Sequence, residues 1–280
     1  MDVPERIDLE AEYNNRARVP EHPEILESWM NDASSFRSIW PHEADLAYSD
    51  APRTTYDLFH AAPGATSKPR TALFIHGGYW QSLDKSRFSH VARGLCLRGY
   101  DVALANYTLC PQTTLSGICT EMRLLAAHLV RSWGKPLLVY GHSAGGHLTA
   151  NLMTTDWTGL GLPGGIADRG MPISGLFDLR PLLETSVNGK LNLDRNEAAQ
   201  LSPILREAPA SGRMVAVVGG AESAEYIRQS RDFAGHWRDH GLKASLNIQE
   251  GKNHFTVIAP LAEPDSSLIT QLDALGCENL

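Results

Sequence analysis

The stretch LLVYGHSAGG, residues Leu137–Gly146, decides the fold class of this chain. A short apolar run with strand character ends at a glycine, Ser143 follows inside a G-x-S-x-G pattern, and small residues then open a helix. This order is typical of a nucleophile elbow, a tight turn that exposes a serine hydroxyl above a parallel sheet. Small neighbours are required because strand and helix pass close to each other at such a turn. The stretch therefore predicts an α/β fold with Ser143 as the nucleophile.

Outward from this stretch, strand patterns and helix patterns alternate along the chain. Short apolar or alternating runs predict strands at Thr54–His60, Thr71–His76, Asp101–Asn106, Leu137–Tyr140, Met171–Ser174, Met214–Val218 and Lys243–Gln249. Helical apolar spacing predicts helices at Glu24–Ser35, Lys85–Arg98, Leu115–Trp133, Ala144–Thr155 and Ala224–His240. This order predicts a mainly parallel sheet with helices on both faces, beginning at Thr54.

The length of 280 residues is sufficient for one large α/β domain. We expect a single domain over residues 1–280, with an N-terminal helical segment over about residues 1–45. The stretch Asp178–Gly212 interrupts the alternation, because it is polar, contains several prolines and separates two predicted strands. We interpret residues 178–212 as a cap or lid insertion; the alternative is a long surface excursion without function.

The charge and the apolar runs exclude two classes of partner. Lys and Arg number 25 against 32 Asp and Glu, a formal net charge of −7, and no basic cluster offsets it. A nucleic-acid or anionic-membrane surface is therefore not expected. Residues Met1–Glu12 lack the pattern of a secretory signal, and no apolar run approaches the roughly 20 residues of a membrane-spanning helix. We expect a cytoplasmic protein.

The four cysteines do not form a recognisable framework. Cys96, Cys110, Cys119 and Cys277 show neither CxxC pairing nor metal-ligand spacing, and four thiols are few for a chain of this length. We expect them to be reduced. His142 and His147, which flank the elbow, are not spaced as helical metal ligands either, so neither a metal nor another cofactor is expected.

A second glycine motif lies at the end of an earlier strand. The run HGGYW, His76–Trp80, follows the predicted strand Thr71–His76. Backbone N–H groups of Gly77 and Gly78 can approach a substrate carbonyl oxygen there, and the Ala144 N–H at the start of the next helix supplies a further donor. Each donor of this kind contributes about 2.7–4 kcal/mol to transition-state stabilisation. We predict an oxyanion hole; the alternative is a plain Gly-Gly turn.

A serine nucleophile needs a base and an acid, in the chain order Ser, acid, His for this arrangement of strands. His254 follows the last predicted strand, in a loop that leads into an apolar helix, and we predict it to be the base. Glu222 is the first carboxylate after Met214–Val218, and we favour it as the acid. Asp178 and Glu225 remain alternatives for that role.

Together these motifs resemble the arylformamidase (kynurenine formamidase) branch of the hormone-sensitive-lipase-like α/β-hydrolases. The segments that carry the resemblance are HGGYW at 76–80, GHSAGG at 141–146, AESAEY at 221–226 followed by RQS at 228–230, and NHF at 253–255. The likeness extends from about Tyr13 to about Ile258. The branch commonly has an aspartate just before a Ser-Pro-Glu-Phe run, whereas this chain has Glu222 there and Ala224 in place of the proline.

The resemblance implies a cofactor-free serine hydrolase of small aryl formamides or aryl esters, N-formylkynurenine being the substrate for which the family is named. Tyr79, Trp80, Tyr107 and Phe177 are then expected to line a pocket that accepts an aromatic group. Core packing is the alternative for these four side chains. The alternative functions are a general short-chain carboxylesterase and a non-catalytic ligand-binding member of the fold. The sequence carries no indication of oligomeric state.

Overall fold

The computed structural model describes residues 7–277. The strands are β1 (His42–Ala47), β2 (Thr55–Phe59), β3 (Thr71–Ile75), β4 (Val102–Ala105), β5 (Leu137–His142), β6 (Arg169–Ile173), β7 (Arg213–Gly219) and β8 (Lys243–Gln249). The α-helices are α1 (Leu9–Tyr13), α2 (Asn15–Arg18), α3 (His22–Ile39), α4 (Arg93–Leu97), α5 (Leu115–Trp133), α6 (Ala144–Met153), α7 (Asn188–Leu191), α8 (Arg195–Gln200), α9 (Ala224–Asp239) and α10 (Ser267–Cys277).

The strands form one sheet in the order β1-β2-β4-β3-β5-β6-β7-β8. β2 pairs antiparallel with β1 and β4, whereas β4, β3, β5, β6, β7 and β8 are mutually parallel. The prediction of a mainly parallel sheet is confirmed. The carboxyl ends of the parallel strands lie at one edge, which is where open α/β sheets place their ligand sites.

The prediction that the sheet begins at Thr54 is wrong, because β1 precedes it. β1 is an edge strand whose sequence HEADLA is largely exposed, and its register shifts between Glu43 and Leu46. A charged, irregular edge strand lacks the regular apolar alternation by which strands are predicted.

Apolar layers cover both faces of the sheet, as the alternation predicts. In β3, Leu73 and Ile75 pack in one buried cluster with side chains of α5 and α6, including Met122 and Leu148. Phe74 points to the opposite face, in a second cluster that includes residues of α3, α4 and α10. Successive side chains of β3 therefore point to opposite faces of the sheet, and both faces are buried.

The prediction of one continuous helix over Lys85–Arg98 is wrong. Two 3₁₀ turns, Lys85–Arg87 and Ser89–Ala92, precede the short helix α4. Lys85, the first residue of this segment, is buried, and its Nζ contacts the carboxylates of Asp45 at 2.6 Å and Asp57 at 2.9 Å.

Two segments outside the sheet approach its carboxyl edge. α1 and α2 lie before α3, and residues 1–6 of the predicted N-terminal helical segment are outside the described residues. The stretch 178–212 connects β6 to β7 through 3₁₀ turns at Arg180–Glu184 and Pro203–Leu205 and through α7 and α8. None of the helices within residues 7–277 combines the length and the hydropathy of a membrane-spanning segment.

Candidate active site

Ser143 stands at the junction of β5 and α6 with φ 58° and ψ −117°. This strained conformation is held by backbone hydrogen bonds, from the Ser143 N–H to the Ile173 carbonyl at 2.8 Å and from the His147 N–H to the Ser143 carbonyl at 3.1 Å. Gly145 allows the close packing of α6 on β3, because a Cβ there would lie 1.9 Å from the Ile75 carbonyl oxygen. The local geometry is that of a nucleophile elbow.

The glycines after β3 lie directly beside this serine. A Cβ on Gly77 would come within 3.0 Å of the Ser143 Cβ and 2.9 Å of the His142 carbonyl oxygen, so a side chain has no room there. Gly78 has φ +112°, which L side chains rarely adopt. In residues 7–277, the backbone N–H groups of Gly77 and Gly78 have no hydrogen-bond acceptor. Ala144 opens α6, where the N–H groups have no acceptor within the helix.

Glu222 and His254 form a buried, hydrogen-bonded pair. The Nδ1 of His254 lies 2.6 Å from Glu222 Oε2, and the two residues are 5% and 8% exposed, respectively. The other carboxylate oxygen, Oε1, accepts hydrogen bonds from Ser174 Oγ at 2.6 Å and from the Gly219 N–H at 2.7 Å. Both carboxylate oxygens of Glu222 therefore accept hydrogen bonds. Because Nδ1 of His254 is bonded to Glu222, Nε2 is the ring nitrogen that can interact with a substrate.

The two alternative carboxylates are engaged elsewhere. Asp178 accepts hydrogen bonds from Arg180, which lower the pKa of this carboxyl although its burial acts to raise it. Glu225 accepts from the Arg228 guanidinium, which lowers its pKa, and from the Tyr13 hydroxyl at 2.7 Å. Of the three candidate acids, Glu222 is the one that contacts His254 among the described residues.

Ser143 and His254 line the same cavity, which has a volume of about 330 Å³. In this arrangement of residues 7–277, no hydrogen bond joins Ser143 Oγ to His254. Such bonds are often long in structures without substrate and tighten when a substrate is bound. The His254 ring packs against Tyr226 and His142, each with a centroid separation of 4.8 Å, so both rings restrict its orientation.

His142 also belongs to this site, although the sequence singled it out only to exclude a metal. Its Nε2 lies 2.8 Å from the His254 carbonyl oxygen, so this nitrogen carries the proton and donates. Burial, and then the neighbouring His254, hold the pKa of His142 well below its ordinary value. The ring is therefore neutral and ties the elbow to the loop that carries His254.

The N-terminal helices form one wall of the cavity, which the sequence did not predict. Residues of α1 to α3, the two glycine motifs, the Thr185–Lys190 region and the His254 loop contribute to the lining. The lining residues are Glu10, Tyr13, Asn14, Asn15, Arg16, Leu26, Trp29, Gly77, Gly78, Tyr79, Gln81, Ser82, Leu83, His142, Ser143, Thr185, Ser186, Val187, Lys190, His254 and Phe255. No local pattern marks these contacts, because they join segments far apart in the chain.

Tyr79 lies in the cavity wall, and its hydroxyl contacts the Tyr13 carbonyl and the Tyr226 hydroxyl. The other three predicted pocket residues are instead buried in the core, so that prediction is corrected. Trp80 packs edge-on against His147, Tyr107 stacks on His76 with 4.5 Å between ring centroids, and Phe177 stacks on Phe233 at 4.3 Å. Aromatic rings are large enough to fill core space beside a site without reaching it.

No group of three or more His, Cys, Asp or Glu side chains within residues 7–277 is arranged to hold a metal ion. The four cysteines are free thiols, three buried and one, Cys277, exposed. Burial raises the pKa of Cys110 and of Cys119 to about 11, which disfavours their thiolate forms.

The chain resembles known enzymes in sequence and in structure, although no protein-family model matches it. The kynurenine formamidase of Drosophila melanogaster is 31% identical over 235 residues, covering 80% of this chain and 78% of the relative. That of Salmo salar is 31% identical over 208 residues, covering 71% and 70%.

Solved structures share the fold of this chain. A Silicibacter sp. protein provisionally described as a thioesterase has a TM-score of 0.85 and 32% identity, covering 95% of this chain and 98% of that protein. An esterase of the bacterial hormone-sensitive lipase family has a TM-score of 0.67 at 17% identity, covering 91% and 96%, a likeness of fold. With its elbow, its parallel sheet and these relatives, the chain belongs to the kynurenine formamidase family of α/β-hydrolases.

Proposed function

We propose that this chain is a serine hydrolase that removes a formyl or other short acyl group from an aryl amine or aryl alcohol. The observation that carries the proposal is the arrangement around one cavity: the elbow serine Ser143, the glycines of the 76–80 loop, and the hydrogen-bonded pair Glu222–His254. These are the parts that acyl transfer through a serine requires.

In the proposed first half-reaction, Ser143 Oγ attacks the acyl carbon while His254 Nε2 takes the hydroxyl proton. Glu222 holds Nδ1–H and stabilises the imidazolium that forms. The carbonyl oxygen becomes an oxyanion, for which the N–H groups of Gly77, Gly78 and Ala144 are the donors. His254 then returns the proton to the leaving nitrogen or oxygen as the bond to the acyl carbon breaks, which leaves an acyl-enzyme.

In the second half-reaction, water takes the place of the leaving group. His254 removes a proton from the water, the resulting hydroxide attacks the acyl carbon, and the proton returns to Ser143 Oγ as the ester bond breaks. A formamide thus gives an amine and formate, and an ester gives an alcohol and a carboxylic acid. No cofactor takes part in this sequence.

The shape of the cavity supports a small acyl group and an aryl leaving group. The close approach of Gly77 to Ser143 leaves little depth beside the nucleophile, which suits a formyl or acetyl group. The wall also contains Trp29, Tyr79 and Phe255, whose rings offer apolar contact to an aromatic substrate. The residues Thr185–Val187 reach the same cavity, and we propose that the segment 178–212 acts as its cap.

The test is to measure kcat/KM on N-formylkynurenine and on p-nitrophenyl acetate with the wild type, Ser143→Ala and the control Ser116→Ala. Ser116 is an exposed residue of α5, remote from the cavity. We expect a marked preference for the formamide, lost in Ser143→Ala and kept in Ser116→Ala. Ester turnover with negligible formamide cleavage would make the chain a short-chain carboxylesterase. Turnover retained by Ser143→Ala would overturn the proposed nucleophile, and no turnover by the wild type would favour a binding protein.

A further inference from the structure

The mouth of the cavity, taken as its exposed lining residues, carries two cationic side chains that have no anionic partner among residues 7–277. Arg16 of α2 and Lys190 of α7 are exposed residues that line the cavity. Neither makes an ion pair or a side-chain hydrogen bond with any other residue between 7 and 277. By contrast, Arg18, two positions beyond Arg16, contacts Glu12 at 2.7 Å. The chain has more acidic than basic residues, so a shortage of carboxylates does not explain the two unpaired cations.

Glu10 also lines this mouth, but its carboxylate is already hydrogen-bonded. Glu10 accepts hydrogen bonds from the Ser186 N–H at 2.7 Å and from the Ser186 hydroxyl at 2.6 Å. These bonds lower the pKa of Glu10, so it is ionised near neutral pH without neutralising Arg16 or Lys190. They also join α1 to the segment that precedes α7. This connection brings Arg16 and Lys190, which are far apart in sequence, to the same opening.

We propose that Arg16 and Lys190 bind a carboxylate on the leaving group of the substrate, at the end remote from the acyl group. The inference rests on the proposed function, since it takes the acyl carbon to lie at Ser143. With the acyl group at Gly77 and the aryl ring beside Trp29 and Tyr79, we place the remote end of the substrate at the exposed lining residues Arg16 and Lys190.

The two side chains suit a carboxylate in different ways. The planar guanidinium of Arg16 can donate two parallel hydrogen bonds to its oxygens, and the Lys190 ammonium adds a compact charge. Because both groups are exposed, solvent and salt screen their attraction for an anion. The recognition is therefore expected to depend on ionic strength, whereas the acyl-transfer chemistry at the buried Glu222–His254 pair is shielded from salt.

A matched pair of substrates isolates the carboxylate. N-Formylkynurenine carries it, and N-formylkynuramine is the same formamide without it. The measured quantity is the ratio of kcat/KM for the first compound to that for the second. We expect a wild-type ratio well above one, which decreases as ionic strength rises from about 0.01 M to about 0.15 M and the Debye length falls from about 30 Å to about 8 Å.

The variants Arg16→Gln, Lys190→Gln and their combination keep polar side chains but remove the charges. We expect the double variant to lower the ratio roughly tenfold, the factor that a change of about 1.4 kcal/mol represents, through KM for N-formylkynurenine. Lys243→Gln removes an exposed charge at the start of β8, away from the cavity, and is expected to keep the wild-type ratio.

The outcomes separate the two proposals. A wild type that cleaves both formamides with equal kcat/KM retains the proposed function and overturns carboxylate recognition. A preference for N-formylkynurenine that survives in the double variant, or that Lys243→Gln lowers equally, overturns the assignment to Arg16 and Lys190. Failure to cleave either formamide overturns the proposed function itself.

Discussion

His142 donates a hydrogen bond from Nε2 to the backbone carbonyl oxygen of His254, at 2.8 Å. The residue before the elbow serine thus holds the loop that presents the predicted base. The bond is buried, and the low pKa of His142 means that the ring does not gain a second proton near neutral pH. His142 is in this sense a positioning residue, which acts through His254.

Replacing His142 by alanine is expected to lower kcat/KM by up to about tenfold, the range of one ordinary hydrogen bond. His142→Gln, whose amide nitrogen can donate, should recover much of the loss. Steady-state kinetics on N-formylkynurenine and p-nitrophenyl acetate would measure both variants. Urea unfolding checks that both variants are as stable as the wild type. If they are, and the alanine and glutamine variants lose equal activity, the role of this hydrogen bond is contradicted.

Glu222→Gln is expected to lower kcat by about 10⁴-fold, because the amide can neither stabilise an imidazolium at His254 nor impose the Nδ1–H tautomer. Asp178→Asn and Glu225→Gln are the matched controls, since their carboxylates bond arginines instead of His254. If Asp178→Asn or Glu225→Gln removed turnover and Glu222→Gln did not, the assignment of the acid would be wrong.

Gly77→Ala should reduce kcat by about 10²- to 10³-fold, the usual effect of losing an oxyanion donor. The added Cβ would meet the His142 carbonyl oxygen at 2.9 Å and the Ser143 Cβ at 3.0 Å, so the loop must shift away from Ser143. Gly235→Ala in α9 is the control, because its Cβ would meet nothing closer than 3.9 Å. Wild-type kcat in Gly77→Ala would exclude this loop from the oxyanion hole.

The free energy of unfolding should decrease as the pH falls from about 6.5 towards about 4. Burial lowers the pKa of His76, His90 and His147 to about 4, and that of His142 well below its ordinary value. In this window the unfolded chain binds protons that the folded chain does not, which favours unfolding; above it both states are neutral and the effect vanishes.

Urea unfolding at several pH values measures this slope, to which each such histidine contributes at most about 1.4 kcal/mol per pH unit. His90→Gln removes one of the groups at a position outside the cavity and should make the slope shallower. If the free energy of unfolding of His90→Gln depended on pH as steeply as that of the wild type, His90 would not contribute to the pH dependence.

The features that the sequence alone determined depend on interactions between residues close together in the chain. The elbow, the mainly parallel sheet and the bounds of α5 and β8 follow from apolar periodicity, capping residues and glycines, all of which act within a few residues. The candidates Ser143, Glu222 and His254 could be named for the same reason, since each follows a predicted strand whose carboxyl end lies at the shared edge of the sheet.

Tertiary structure decided the rest, because it depends on contacts between distant segments. Only packing shows that Lys85 turns inward to Asp45 and Asp57, that Trp80 fills the core while Tyr79 reaches the cavity, and that Glu10 joins α1 to Ser186. An aromatic or charged residue has the same neighbours in sequence whether its side chain lies in the core or in the cavity wall. Its neighbours across the fold determine whether it packs, pairs or faces a substrate.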